Sequence, residues 1–118
     1  MSDIYQITYD VRPYEAGYQK TLQPDALLNY FQDAAFKHSL SRGFSAFHLL
    51  KKGLTWVLSR YHIRVERYPS IGEQVHVRTW YPGPQKPFYL RDWEVLDDNG
   101  AALAQATSSW RSFLILEP

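Results

Sequence analysis

An α+β fold, with one antiparallel sheet wrapped around one long helix, is predicted by three observations. A single stretch, Pro24 to Gly43, repeats its apolar residues at helical spacing. After Gly53 the period drops to two and stays there through four segments. Turn signals separate those segments at short intervals, so the order reads strand, long helix, then four strands joined by hairpin-like turns. Short connections permit that order when the sheet bends around the helix.

The helix is the best-defined element. Pro24 suits a first helical position, and Asp25 places a negative charge in the first turn, at the positive end of the dipole. Leu27, Phe31, Ala34 and His38 form a stripe that Leu28, Ala35 and Ser39 widen, which predicts burial along most of the girth. Gly43 is a natural terminator, with Arg42 beside the last carbonyls. Asn29, Gln32, Asp33 and His38 are set into this apolar surface, and polar groups on a core helix need partners or a task.

Around it, Ile4 to Tyr14 alternates loosely and reads as a first strand ending near Pro13, followed by a loop from Glu15 to Gln23 with room for a short strand turn. Phe44 to Gly53 is a short second helix or an ordered loop. Leu54 to Arg67 is a long strand. Its first half (Leu54, Trp56, Val57, Leu58) is apolar on both faces and its second half on one, which predicts cover on both faces at the start. Tyr68 to Gly72 turns the chain; Glu73 to Tyr81 alternates as a strand; Pro82 to Pro87 is a loop. Phe88 to Leu96 is the next strand, Asn99-Gly100 signals a tight hairpin, and Ala101 to Leu116 is the last strand. Small residues in its middle (AQATSSW) allow a helix or a ligand to approach closely. A sheet bent around a helix in this way is the hotdog arrangement, and residues 1–118 are expected to form a single hotdog domain.

Composition narrows the function. A chain of 118 residues with 45% hydrophobic content has the size of one ordinary domain. The net charge of +1 argues against a nucleic-acid partner, and the absence of cysteine excludes disulfides, thiolate metal sites and a Cys nucleophile. No signal pattern or apolar run of spanning length occurs, so no membrane association and a soluble cytoplasmic protein are expected.

Several segments together carry a resemblance: VRPYEAG (Val11 to Gly17), LLNYFQDAAFKHSLSRG (Leu27 to Gly43), GLTWVLSRYHIRVERYPSIGE (Gly53 to Glu73), RTW (Arg78 to Trp80), RDWEVLDDNG (Arg91 to Gly100) and LAQATSSW (Leu103 to Trp110). In this order, and over most of its length, the chain resembles the N-terminal hotdog domain of acyl-ACP thioesterases. The resemblance implies hydrolysis of a fatty acyl thioester, on acyl carrier protein or coenzyme A, to free acid and carrier thiol, with no cofactor. It also implies a departure. The family carries two hotdog domains in tandem, its N-terminal domain shapes the acyl pocket, and its Asp-x-Asn-x-His catalytic motif lies in the second domain; nothing in this sequence spells that motif. Lys37-His38 stands where the family often has Asn-His.

The site residues follow from both lines. Asp33, in QDAA, is similar in position to the helix acid of single-domain hotdog thioesterases, where a carboxylate activates water and helix amides hold the oxyanion. It is equally readable as a structural acid paired with Arg60, Arg64 or a helix neighbour. His38 reads first as a core histidine with one partner and second as a catalytic group. Asn29 either orients a carbonyl or bonds the backbone. Phe31, Trp56 and Trp110 are core residues or lining of an acyl tunnel, joined on the long strand by Leu58. Arg60, with Arg64, Arg67, Lys51 and Lys52, is a solvated face or a landing site for an acidic carrier protein or a coenzyme A phosphate. The alternative function is a non-catalytic acyl-binding module, or the pocket-forming half of a longer thioesterase. The two-faced start of the long strand predicts a homodimer, with its interface near the helix N-terminus and that strand's beginning.

Overall fold

The helix α1 runs Pro24–Arg42, between the limits that the proline and the glycine set. Gly43 closes it in the left-handed region (φ 81°), returning its N–H to the Leu40 carbonyl. The computed structural model describes residues 3–43, 50–85 and 87–114. The strands are β1 (Tyr5–Asp10), β2 (Leu54–Val65), β3 (Gln74–Trp80), β4 (Pro84–Gln85), β5 (Phe88–Leu96) and β6 (Ala102–Leu114), all antiparallel in one sheet. The path across it is β1-β3-β5-β6-β2, with the two-residue β4 pairing to β5. This is the α+β hotdog arrangement expected from the sequence.

Register explains the core. Residues opposite one another in an antiparallel ladder share a face. One row across the sheet is therefore Tyr5, Thr79, Trp93, Ala106 and Ile63, and the next is Ile7, Val77, Val95, Ala104 and Val65. Against these rows α1 buries Ala26, Leu27, Tyr30, Phe31, Ala34 and His38. Ala104 and Ala106 let the helix approach, Phe31 tilts against Trp93 at 5.3 Å, and the Trp93 indole N–H donates to the Phe31 carbonyl at 2.9 Å. The burial follows one face of the helix. Asn29, Gln32, Phe36 and Leu40 lie on the exposed side, so less of the girth is covered than the sequence predicts.

Three further elements depart from expectation. The first strand stops at Asp10, and Pro13–Glu15 forms a 3-10 turn clamped by the Arg12–Glu15 ion pair at 2.9 Å. The Asn99-Gly100 hairpin is not the two-residue turn with both residues at positive φ. Only Gly100 is left-handed (φ 82°), and the Asp97 carboxylate accepts the N–H groups of Asn99 and Ala101. In β2 the register against β6 shifts between Leu58 and Arg60. One extra residue at Ser59 keeps Leu54, Trp56 and Leu58 on the same face as Tyr61, Ile63 and Val65. The bulge thus puts the apolar residues of both halves of β2 on the helix side, with Val57 facing outward opposite Arg111, and Val57 and Leu58 are exposed in the single chain. Of the expected second helix or loop, residues 44–49 lie outside the described residues, as does the end of the expected last strand.

Candidate functional site

A cavity of about 240 Å³ opens where the second half of α1 leaves the sheet. Among the described residues α1 contributes Gln32, Ala35, Phe36 and Ser39; facing them are Thr55 and Trp56 at the start of β2, Tyr89 to Arg91 of β5, and Trp110 of β6. Tyr81, just past β3, completes the wall. Leu58, Trp110 and Tyr89 form one cross-strand row, and the Trp56 ring meets Tyr89 edge-on at 5.1 Å. Most of the lining is aromatic or aliphatic, as an alkyl chain requires.

One end is polar. Arg91 is 4% exposed, since it shares the helix-facing parity of Trp93 and Val95. Its Nη1 donates to Thr79 Oγ1 at 2.8 Å and to His38 Nδ1 at 3.1 Å, and its Nη2 donates to Ser39 Oγ at 3.0 Å. The guanidinium also stacks over the Tyr81 ring at 4.0 Å, and Ser39 Oγ meets the Tyr81 hydroxyl at 2.9 Å. An arginine can only donate, so His38 Nδ1 accepts, and the imidazole carries its proton on Nε2, 2.8 Å from Asp3 Oδ2. Burial holds His38 below its ordinary pKa; hydrogen bonding to Asp3 opposes this and the charge of Arg91 adds to it. Burial likewise lowers Arg91. Asp3 is held by both Arg42, at 2.7 and 2.8 Å, and His38, so its carboxyl lies far below the usual range.

A second hollow lies on the outer face of the sheet, near His62, Arg64, Asp92 and Glu94. Its charged groups already have partners, Glu94 in Arg78, Arg64 in Glu66 and Asp92 in the hydrogen bond from the Thr107 hydroxyl.

The family described as the acyl-ACP thioesterase N-terminal domain matches residues 2–114. The chain belongs to that family. It is 35% identical over 114 residues to a palmitoyl-acyl carrier protein thioesterase, chloroplastic, of Gossypium hirsutum, covering 91% of this chain and 28% of the relative. It is 33% identical to oleoyl-acyl carrier protein thioesterase 1, chloroplastic, of Arabidopsis thaliana, covering 90% and 31%. Among solved structures, an acyl-ACP thioesterase from Bacteroides thetaiotaomicron superposes with a TM-score of 0.90 at 28% identity, covering 95% of this chain and 46% of that one. The 12:0-ACP thioesterase from Umbellularia californica does so with 0.83 at 30% identity, covering 98% and 49%. The chain thus spans under a third of the curated relatives and under half of these solved ones. No helix of the described residues is long and apolar enough to cross a membrane.

Within this acyl-ACP thioesterase domain the expected site residues separate. Trp56 and Trp110 line the cavity, half-buried, with the Trp110 indole donating to Ser108 Oγ at 2.7 Å. Phe31 is wholly buried in the packed core, and Leu58 and Arg60 are exposed on β2. Asp33 is partly exposed on the side of α1 that faces β1, accepting the Tyr9 hydroxyl at 2.6 Å and Lys37 at 3.1 Å. Asn29 is exposed, and His38 is buried between Asp3 and Arg91 with its ring stacked on Tyr5. None of these three belongs to the cavity wall. The start of β2 lies across the cavity from residues 32–39, beside the second half of the helix rather than its N-terminus. Arg91 and Ser39 are the polar residues that sequence reasoning passed over. The available signal was the i, i+2, i+4 series Arg91, Trp93, Val95, which puts a charge on a core face.

Proposed function

We propose that this chain serves in the hydrolysis of fatty acyl thioesters carried on acyl carrier protein, and that its part is to hold the acyl chain in the cavity between α1 and the β5-β6-β2 end of the sheet. The observation that carries the reading is the aromatic and aliphatic lining of that cavity (Ala35, Phe36, Trp56, Tyr89, Leu90, Trp110) in a chain that belongs to the acyl-ACP thioesterase family. The names of the relatives, which are carrier-protein thioesterases, support the carrier; coenzyme A thioesters are proposed as weaker substrates. Arg60, exposed on the edge strand, is a candidate contact for an acidic carrier. The cytoplasmic setting expected from the sequence stays part of the proposal; the chloroplastic names are those of plant relatives, and fractionation decides it. A thiol-trapping assay over decanoyl, lauroyl and palmitoyl carriers is expected to show release, slower on the matching acyl-CoA. Silence on every thioester with acyl binding retained identifies the chain as a pocket-forming half.

A second reading is a homodimer that completes its own active site. β2 is a sheet edge with exposed apolar side chains on both faces, Leu58 beside Phe36 and Leu40 of α1 on the helix side and Val57 (46% exposed) with Phe113 on the outer side, which a second hotdog unit would cover. In this reading Asp33, partly exposed and oriented by Tyr9 and Lys37, is the candidate base, with His38 and Asn29 in supporting roles. Asp33→Asn is then expected to lower turnover about a hundredfold with the fold intact. Light scattering at micromolar concentration tests assembly, and a folded, soluble monomer contradicts the dimer.

A further inference from the structure

The polar end of the cavity has a property that an alkyl pocket does not need. Arg91 is a permanent cation at 4% exposure, and the side chains that hold it, His38, Thr79, Ser39 and Tyr81, are neutral. Among the described residues no carboxylate forms an ion pair with it. The acid nearest along the hydrogen-bond chain is Asp3, which reaches Arg91 only through the neutral His38 and is itself held by Arg42. A buried charge without a counter-charge is costly, and that cost is recovered by any anion that reaches it. Arg91, Ser39 and Tyr81 all contribute to the cavity wall, so the charge stands at one end of an otherwise largely apolar space.

We propose that the cavity takes an aliphatic carboxylate, with the carboxylate at Arg91 and Ser39 and the chain lying along Phe36, Trp56 and Trp110. Charge-assisted hydrogen bonds to the anion supply the counter-charge that the described residues do not, and the aromatic wall covers the methylenes. Two sources present this chemistry: a released fatty acid bound head-in, and an acyl group carrying a second carboxylate at its far end. The course of the chain rests on the acyl-pocket reading; the position of the carboxylate rests on Arg91.

The test is tryptophan fluorescence, to which the cavity residues Trp56 and Trp110 contribute, titrated on the full chain with decanoate, decanol and monomethyl sebacate. Decanoate is expected to bind about tenfold or more tighter than decanol, the ratio one charge-assisted hydrogen bond supplies. Arg91→Met is expected to bring decanoate down to the affinity of decanol, while decanol changes by less than about threefold. Arg91→Lys, which keeps the charge where Arg91→Met fails to fold, is expected to retain a preference for decanoate. Monomethyl sebacate binding as well as decanoate supports the far-end carboxylate; decanoate alone supports the released acid. Equal affinity of decanoate and decanol for the unaltered chain overturns the proposal and leaves the acyl pocket standing. Binding of neither overturns both.

Discussion

The two halves of α1 meet the same sheet in different ways. Under the first half the contact is dry and closed. Leu27, Tyr30, Phe31 and Ala34 are at most 2% exposed against Val75, Val77, Trp93 and Val95, and Ala104 and Ala106 make room for the helix. Along the second half Ala35 and Ser39 are half-buried, Phe36 is 40% exposed and Leu40 46%, and the strands present Tyr89, Trp110 and Trp56 in place of alanines. Small residues let the backbone close, whereas large rings hold helix and sheet apart and enclose a cavity. His38, on the same turns, stays 0% exposed, so stability and ligand binding are assigned to two faces of one helix, and the cavity face widens along its second half.

The largest effect should come from breaking the closed half. Phe31→Ala is expected to cost about 3–5 kcal/mol in chemical denaturation, as for a fully buried aromatic, whereas Leu58→Ala on the open side stays within about 1 kcal/mol. Equal losses would erase the distinction between the halves. Thr79→Val probes the join between them. It removes the buried oxygen that accepts from Arg91 and is expected to cost about 1–3 kcal/mol, because a charged donor loses its partner.

The pH dependence sharpens the same point. Because the folded His38 titrates below its ordinary 6.5, the unfolded chain takes up that proton first. The stability tied to the neutral imidazole is therefore present above about pH 6.5 and is lost as the pH falls from there toward the folded value. In His38→Gln an amide donates to Asp3 and accepts from Arg91 without titrating, so its stability between about pH 7 and 5 should fall less steeply than that of the unaltered chain. Parallel curves would mean that His38 is not held neutral. The smallest effect is expected at Tyr61, whose buried hydroxyl has no hydrogen-bond partner among the described residues. Tyr61→Phe should be neutral or stabilising by up to about 1 kcal/mol, and a loss larger than that would reveal a partner for the hydroxyl.

The closed half was legible in the sequence because periodicity and burial agree there. Pro24, Gly43 and the stripe Leu27, Phe31, Ala34 and His38 define α1 without any tertiary information, and the alternation of Val75, Val77 and Thr79 does the same for β3. The open half was not, for three physical reasons. A one-residue bulge at Ser59 is invisible in an alternating pattern and makes Leu54, Trp56 and Leu58 read as facing away from Tyr61, Ile63 and Val65, whose side they share. A charged residue in a strand reads as solvent-facing, so Arg91 was missed although its parity with Trp93 pointed inward. Asp33 and Gln32 are adjacent, yet the hundred-degree step between them turns one toward β1 and the other into the cavity wall, a choice that depends on how the helix is rotated on the sheet.

The central claim, that the acyl chain lies beside the second half of α1, is tested most directly by quenching with a fatty acid brominated near the middle of its chain. Trp56 and Trp110 line the cavity, Trp93 is sealed in the closed core at 1% exposure, and Trp80 lies on the outer face of the sheet. In Trp-to-Phe variants that leave one tryptophan at a time, the brominated acid is predicted to quench Trp56 and Trp110 strongly and Trp80 and Trp93 little. Quenching that follows Trp80, or that falls evenly on all four, would place the acyl chain elsewhere and contradict the account.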